Sequence, residues 1–221
     1  MITLYSMERD YPYGALRSTN GSKVKVVLAE KGLEFSVQTV RPGDVWKKLP
    51  EVLAKHPLGK VPWIDDGDLT LYDSTVINEY LNEKTAANPL LPNDLVQRNK
   101  ARALENYGDE GVLSKFLPMI WMPWWSPPEQ RDEATMQKGR DGLSVEILPF
   151  LQQTLGDQPY LCGEFSLADV PMMAMAMVLQ VDGMSIDDFP LVDAYLQRLR
   201  QRPSYRLIDP NTPVDEALSS S

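Results

Sequence analysis

The stretch from His56 to Leu81 has the sequence HPLGKVPWIDDGDLTLYDSTVINEYL, and it contains the signals that decide the fold. Two short β-favouring runs, Pro62 to Ile64 and Leu69 to Leu71, flank the turn Asp65-Asp66-Gly67-Asp68, a pattern typical of a hairpin. After the second run, apolar residues recur at helical spacing at Val76, Ile77, Tyr80 and Leu81. The stretch therefore predicts strand, turn, strand and helix, in that order.

The residues before this stretch predict a βαβ unit. Ile2 to Ser6 has the composition of a strand, and Gly21 to Lys31 has the apolar spacing of a helix that ends before Gly32. Phe35 to Val40 alternates like a second strand, and Val45 to Lys55 predicts a second helix. The complete order, β-α-β-α-β-β-α, matches a thioredoxin-like domain.

The residues after Leu81 predict a linker and then helices. Lys84 to Asp94 is rich in polar and small residues with two prolines, as interdomain linkers often are. The predicted boundaries are a thioredoxin-like domain at 1–84, a linker at 85–93 and an all-α domain at 94–221. The fold class is thus α/β plus all-α.

Three local patterns describe the predicted helical domain. Ser166 and Asp169 have the spacing of a capping box at a helix start. Val170 to Val181 is strongly apolar but about half the ~20 residues that a membrane span requires, so it predicts a buried helix. Pro210 to Ser221 is polar and without periodicity, which predicts a poorly ordered tail from about residue 210.

Charge, cysteine content and the first residues indicate which partners and which cellular compartment to expect. The 221 residues carry a formal net charge of −9 without a cluster of Lys and Arg, which disfavours nucleic acid as a partner. The single cysteine, Cys162, excludes an internal disulfide framework and fits a reducing compartment. The start of the chain lacks the pattern of a secretory signal. The expected location is the cytoplasm, with no membrane partner, and His56 without a second histidine or a cysteine cluster predicts no metal site.

Two features of the opening stretch are suited to an extended peptide that carries a carboxylate. A strand entered through Val61-Pro62 places backbone groups at a sheet edge, where such a peptide can pair with them. Asp73-Ser74 opens a helix, whose free N–H groups and dipole favour an anion. Asp73 is also suited to an ammonium group, although either residue can simply cap the helix.

The combination of Gly-Lys-Val-Pro at 59–62 with Asp-Ser at 73–74 resembles the theta, zeta and related cytosolic glutathione transferases. The resemblance implies glutathione as co-substrate and a cis peptide bond before Pro62. It also implies that Lys60 binds the glycine carboxylate, that Val61 pairs with the cysteinyl backbone, and that Asp73 and Ser74 hold the γ-glutamyl end.

The resemblance places the thiol-activating group at the start of the first helix, in Ser18-Thr19-Asn20-Gly21-Ser22-Lys23-Val24. Ser18 stands where the serine-type classes carry their activating hydroxyl, and it is the first candidate. Asn20 is the second, because the run is similar to the Thr-Pro-Asn-Gly-x-Lys-Val stretch of the bacterial nu class. The alternatives are that both residues only cap the helix, or that another nearby hydroxyl acts instead: Tyr5, Ser6, Thr19 or Ser22.

The candidate acceptor side lies in a run rich in tryptophan, methionine and proline. Trp121, Trp124 and Trp125 stand among prolines that interrupt a helix, so they present a concentrated apolar surface. The same residues are equally suited to core packing or to a dimer contact. From the long first loop, Tyr13, with Tyr11 and Arg17, is a candidate to close the same pocket.

The function implied by the resemblance is a glutathione transferase that activates the thiol for attack on an apolar electrophile or a disulfide. The family also implies a homodimer. The alternative is a non-catalytic protein of the stringent starvation type, which has the same fold and acts through protein partners. Those proteins are similar to this chain in the helix ending Ala29 to Gly32.

Overall fold

The computed structural model describes residues 1–11 and 14–218, except for the side chains of residues 11, 14–16, 125 and 218. The chain divides into two compact units. The first comprises Met1–Pro89 together with the segment that begins at Arg206, and the second is Leu90–Tyr205. The first unit contains a thioredoxin-like sheet and the second is helical, as the sequence predicts.

The first unit is built on a four-stranded sheet in the order β4-β1-β5-β6. The strands are β1 (Ile2–Ser6), β4 (Phe35–Thr39), β5 (Trp63–Asp66) and β6 (Leu69–Tyr72). β4 runs parallel to β1, whereas β5 is antiparallel to both β1 and β6. The predicted hairpin is therefore confirmed, and the parallel pair is joined by the helix α1 (Thr19–Glu30).

Helices cover the sheet. α1 contacts both β1 and α4 (Ser74–Lys84). Tyr5 and Trp63 instead join a small core with Val45 and Val52, from α2 (Pro42–Trp46) and α3 (Pro50–Lys55). The sequence predicted one continuous helix over Val45 to Lys55, and that prediction is wrong. α2 ends at Trp46, and a separate helix, α3, begins at Pro50, which has no N–H to donate and disfavours helical backbone at the residue before it.

A second, two-stranded sheet lies between β1 and α1, where the sequence predicted only a loop. It consists of β2 (Glu8–Tyr11) and β3 (Gly14–Arg17), with Glu8 opposite Arg17 in the antiparallel register. Tyr13 lies outside the described residues. The hairpin is the main addition to the predicted strand order.

The C-terminal segment is folded as part of the first unit. The predicted tail begins at about residue 210, but α11 (Val214–Leu218) is helical, with Val214 and Ala217 buried. The backbone N–H of Val214 donates to the Asp10 carboxylate at 3.2 Å. Through residue 218 the segment thus differs from the predicted tail, because it packs on β2 rather than remaining in solvent.

The second unit is helical throughout its regular structure. Its α-helices are α5 (Leu95–Asn106), α6 (Leu117–Trp121), α7 (Glu133–Gly142), α8 (Leu148–Leu155), α9 (Val170–Asp182) and α10 (Pro190–Arg200). Segments of π-helix (Tyr107–Leu113 and Leu143–Ile147) and of 3₁₀-helix (Met122–Trp125, Pro128–Gln130 and Leu167–Asp169) connect some of them, and another 3₁₀ segment, Pro203–Leu207, crosses the division between the units.

The core of the second unit is centred on α9, which is buried from Val170 to Leu179. The predicted capping box precedes it: Ser166 and Asp169 exchange their hydrogen bonds. Close packing also depends on Gly142, where a Cβ would lie 2.0 Å from the Phe116 ring. Among the described residues, we find no helix long and apolar enough to cross a membrane.

Candidate functional site

The register of the sheet brings the predicted binding residues to one end of three adjacent strands. Trp63 pairs with Tyr5 on one side and with Tyr72 on the other. One residue further along, Pro62 therefore lies between the end of β1 at Ser6 and the start of α4 at Asp73. The hairpin geometry thus explains why residues 62 and 73 share one edge.

Ser18 is the N-cap of α1 and is almost fully buried. Its Oγ accepts a hydrogen bond from the backbone N–H of Gly21 at 3.1 Å. A serine hydroxyl has one proton to donate and two lone pairs to accept with. Capping therefore uses one lone pair and leaves the proton of Ser18 for another acceptor, at the positive end of the α1 dipole.

Two other candidate hydroxyls have acceptors of their own. The Oγ of Ser6 donates to Glu8 Oε1 at 2.8 Å inside the unit. The phenol of Tyr5 stacks on Trp63, with ring centroids 4.9 Å apart. Its pKa is raised by burial and then by the nearby carboxylate of Asp65, which also shares a hydrogen bond with it. A phenol beside a carboxylate is poorly suited to stabilise a second anion, so Ser18 has the better position.

Asn20 lies in the first turn of α1, two residues beyond Ser18. Its Oδ1 is buried and has no hydrogen-bond partner among the described residues. Buried amide oxygens are nearly always paired, so an unpaired one marks a place where a ligand or water can bind. The Oδ1 of Asn20, the second candidate, is thus available to a ligand or a water molecule.

The loop before β5 presents a backbone edge. The Val61–Pro62 peptide bond is cis, as the resemblance implied. Val61 and Pro62 are buried, whereas Lys60 is exposed. Exposure leaves the ammonium of Lys60 accessible to a carboxylate from solvent.

Asp73 combines a cap with an unusual backbone conformation. Its carboxylate accepts hydrogen bonds from the backbone N–H groups of Thr75 and Val76, at 3.1 and 3.2 Å. Its φ is 74° with ψ 117°, a combination that few residues other than glycine adopt. Such outliers cluster at ligand sites, and the residue itself is exposed. Ser74, the next residue, is buried at the start of α4.

Lys23 joins α1 to the first turn of α4 by a hydrogen bond. This fully buried lysine on α1 donates from Nζ to Thr75 Oγ1 in the first turn of α4, at 3.2 Å. The sequence does not indicate this position, because a lysine on a helix is usually exposed. Its burial places a cationic side chain next to the helix that begins at Asp73–Ser74.

His56 packs against Tyr72 and shapes the loop before β5. Its ring is 5.0 Å from that of Tyr72, and Nδ1 accepts a hydrogen bond from the backbone N–H of Leu58 at 3.3 Å. Burial lowers the pKa of His56, the positive charge of Lys60 lowers it further, and the carboxylate of Asp73 opposes both. Lys60 and Asp73 are therefore both close enough to His56 to change its pKa.

The second unit has a surface cavity of about 450 Å³ in the segment that contains the acceptor candidates, but Trp121 and Trp124 are not among its lining residues. Trp121 ends α6 and is half-buried, and the Trp124 ring is covered by the Arg131 guanidinium, 3.8 Å from the ring centroid. The cavity is lined instead by their neighbours Pro118, Met119, Met122, Pro123, Ser126, Gln130, Asp132 and Thr135. The side chain of Trp125 and the whole of Tyr13 lie outside what the structure describes.

A further expectation was that Arg17 helps to close the acceptor pocket. Arg17 does not face a pocket: it is buried, and its guanidinium donates to backbone carbonyls of residues 209 and 212. The Cys162 thiol is half-buried, and burial raises its pKa, which disfavours a nucleophile. Within residues 1–11 and 14–218 we find no group of three or more His, Cys, Asp or Glu side chains suited to a metal ion.

Comparison with known protein families agrees with this two-unit architecture. Residues 17–84 match the N-terminal domain of glutathione S-transferase, and residues 114–203 match its C-terminal domain. A glutathione S-transferase of Arabidopsis thaliana is 30% identical over 223 residues, which cover 91% of this chain and 95% of the relative. The chain belongs to the cytosolic glutathione transferase superfamily.

Two further matches are to a stringent starvation protein A homolog and to a glutathione S-transferase of known structure. A stringent starvation protein A homolog of Pasteurella multocida is 31% identical over 187 residues, covering 83% of this chain and 82% of that protein. The crystal structure of a theta class glutathione S-transferase from Xanthomonas axonopodis pv. citri, with glutathione bound, has a TM-score of 0.80 at 25% identity. It covers 96% of this chain and 98% of that chain.

Proposed function

We propose that this protein is a glutathione transferase in which the Ser18 hydroxyl stabilises the glutathione thiolate for attack on an apolar electrophile or a disulfide. The observation that carries the proposal is the hydrogen bonding of Ser18. Its Oγ is held by the Gly21 N–H and keeps its proton, at a helix N-terminus within the unit whose relatives bind glutathione.

The energy required for activation is within reach of this arrangement. A free thiol has a pKa near 8.5, so only about three per cent is thiolate at pH 7. Lowering that pKa to about 6.5 requires about 2.7 kcal/mol. A hydrogen bond to a charged group contributes about 1.5–3 kcal/mol, and a helix N-terminus adds about 0.3–1 kcal/mol. Asn20 contributes a second polar contact to the same sulfur in this proposal.

The rest of the peptide is held by groups at the end of the sheet. Lys60 binds the glycine carboxylate, and the backbone of Val61, before Pro62, pairs with the cysteinyl residue. Asp73 binds the γ-glutamyl ammonium while Ser74 and the α4 N-terminus bind its carboxylate. The exposure of Lys60 and Asp73 and their shared influence on His56 support these roles.

For the acceptor, we propose an apolar compound bound in the helical unit. The cavity beside Met119 and Met122 is within the usual size range of small-molecule sites. Methionine side chains are flexible and polarisable, so they adapt to varied apolar shapes. Trp121, Trp124 and Trp125 contribute to the surroundings of that site in the proposal.

The test is binding of glutathione followed by titration of the bound thiol. The protein is passed over immobilised glutathione, and the thiolate of the bound peptide is then followed by ultraviolet absorbance against pH. We expect retention and a bound-thiol pKa about two units below the free value. Absence of both would contradict the proposal.

The similarity to a stringent starvation protein A homolog supports a second candidate function, in which the protein acts through protein partners without catalysis. Turnover with a panel of aryl halides, isothiocyanates and small disulfides distinguishes the two. Catalysis that Ser18→Ala removes supports the transferase, whereas glutathione binding without turnover of any acceptor supports the partner-binding function. For either function we propose a cytoplasmic homodimer, which sizing chromatography tests.

A further inference from the structure

Three backbone carbonyls of the C-terminal segment contact one buried group of charges. Leu207 and Ile208 are buried, and three backbone carbonyls of the segment accept hydrogen bonds from side chains near the N-terminus. Arg17 donates to the carbonyl of Asp209 at 2.9 Å and to that of Thr212 at 2.6 Å. Lys25 donates to the carbonyl of Leu207 at 3.3 Å. The contacts join positions more than 180 residues apart.

The buried charges are Glu8, Arg17 and Lys25, whose side chains have no exposed surface. Lys25 Nζ lies 2.8 Å from Glu8 Oε2, and Arg17 Nε lies 3.7 Å from the same oxygen. We name these three residues the buried triad. It contains two basic side chains and one carboxylate, with the cations on β3 and α1 and the carboxylate on β2.

The buried triad has one more basic side chain than acidic, and its burial costs desolvation free energy. The C-terminal carbonyls offset part of that cost. Burial lowers the pKa of Lys25, and Arg17 lowers it further, whereas Glu8 raises it. The carbonyl oxygens of Leu207, Asp209 and Thr212 bring three further negative dipole ends to the two cations. The C-terminal segment therefore completes the electrostatic balance of the triad.

Residues of the buried triad also adjoin the groups that hydrogen-bond to Ser18. Arg17 is the residue before Ser18 and ends β3, while the Ser18 N–H donates to the Met7 carbonyl at 2.9 Å, next to Glu8. Glu8 Oε1 accepts from the hydroxyl of Ser6. That hydroxyl lies against Gly21, whose N–H binds Ser18 Oγ.

We infer that Arg17 is a positioning residue for the thiol-activating hydroxyl and that the C-terminal segment, residues 206–218, is part of the glutathione-activating unit. The segment holds the Arg17 guanidinium through two carbonyls, and Arg17 fixes the backbone that carries Ser18. The role in activation rests on the proposed function. The coupling between the segment and the start of α1 does not.

Arg17→Lys tests the inference, because lysine keeps the charge but lacks the planar fork that binds two carbonyls at once. The matched control is Arg200→Lys, which alters an arginine that donates to the Ala176 carbonyl in the helical unit. Two measurements are made on the full-length protein: the thiol pKa of bound glutathione, and backbone hydrogen exchange of residues 18–21 and 206–218.

We expect Arg17→Lys to raise the pKa of the bound thiol by ~1 unit, a tenfold smaller thiolate-to-thiol ratio, while glutathione affinity falls less than threefold. Exchange protection falls in both segments together, and Arg200→Lys changes neither. Lost protection of residues 206–218 with an unchanged thiol pKa would overturn the inference.

A second variant covers the case in which Arg17→Lys does not fold. Asp10→Ala removes the carboxylate that accepts from the Val214 N–H, outside the triad. It is expected to lower the exchange protection of residues 206–218 and, through them, of residues 18–21, with a smaller rise in thiol pKa.

If the wild-type protein binds no glutathione, the proposed function fails, and hydrogen exchange alone decides the inference. Joint loss of protection supports the coupling, and loss confined to residues 206–218 overturns it.

Discussion

An ideal Cβ placed on Gly21 would lie only 1.9 Å from the Oγ of Ser6. The first helix approaches the first strand so closely at this point that a methyl group has no space. The Ser6 hydroxyl is held in place by Glu8 and cannot simply rotate away without losing its hydrogen bond. The approach fixes the helix turn that contains Ser18.

Gly21→Ala is therefore expected to destabilise the protein by about 1–3 kcal/mol, because the added methyl forces β1 and α1 apart. The matched control is Gly43→Ala in α2, where a Cβ meets nothing within 4 Å. That change is expected to be neutral or to stabilise by up to about 1 kcal/mol. Urea denaturation of both variants provides the measurement, and equal stabilities would contradict the close approach.

Ser18→Ala removes a cap and, in the proposed function, the thiolate donor. We expect a stability loss of about 1 kcal/mol and a rise of one to two units in the pKa of bound glutathione. The control Asp94→Ala removes the cap of α5, where the carboxylate accepts from the Gln97 N–H at 2.9 Å. It should cost similar stability and leave the thiol pKa unchanged. A thiol pKa unaffected by Ser18→Ala would make Ser18 a cap alone.

Asp73→Asn separates capping from ligand binding at the start of α4. Asparagine caps a helix as well as aspartate and tolerates a positive φ, so unfolding free energy should change by less than about 0.5 kcal/mol. Loss of the negative charge should weaken glutathione binding by roughly tenfold, measured by calorimetry. Unchanged affinity would show that the ammonium of the ligand is held elsewhere.

His56 is the single histidine of the chain and reports on the charges around it. Burial and Lys60 lower its pKa, so the folded state binds fewer protons than the unfolded state near pH 6. Its contribution to stability is present above about pH 6.5 and is lost as the pH falls toward the folded-state value. In a nuclear magnetic resonance titration, Lys60→Gln should raise the His56 pKa. Glutathione should raise it in the wild type and much less in Lys60→Gln.

Tyr195 donates to the buried Asp169 at 2.8 Å, and burial raises the pKa of that carboxyl to about 6. The raised pKa means that this group lowers stability as the pH rises from about 4 to 6. Because a hydrogen bond to an ionised carboxylate is stronger than one to a neutral acid, Tyr195→Phe should cost more stability at pH 7 than at pH 5.

The control for this pH effect is Tyr205→Phe, since Tyr205 donates to the neutral amide oxygen of Gln180 at 2.8 Å. Its cost, measured by urea denaturation, should be the same at both pH values. Equal costs of Tyr195→Phe at pH 5 and pH 7 would mean that Asp169 does not change its ionisation in this range.

Much of the fold follows from local patterns in the sequence. The hairpin of β5 and β6, the helix α1 and the capping box of Ser166 and Asp169 each depend on residues close together in the chain, and each was predictable. The division at Pro50 was also visible in the sequence, but the apolar spacing across it suggested one helix. These elements are determined by interactions between residues that are close together in the sequence.

The parts that the sequence did not predict depend on distant partners. Glu8, Arg17 and Lys25 belong to residue types that are usually exposed, and the carbonyls of residues 207, 209 and 212 help to compensate for their burial. The predicted site residues at 18, 60 and 73 came from a family resemblance. No pattern within the sequence indicated that Lys23 lies beside Thr75.

The return of the chain end to the first unit has a consequence for synthesis on the ribosome. The first 89 residues emerge well before residues 207–212, so Arg17 and Lys25 have no carbonyl partners at those positions until the intervening helical unit has been translated. The helical unit, Leu90–Tyr205, is complete in sequence before that happens. The nascent thioredoxin-like unit thus reaches its final charge balance only after the helical unit has been synthesised, which gives its buried cations a period of exposure to water or to chaperones.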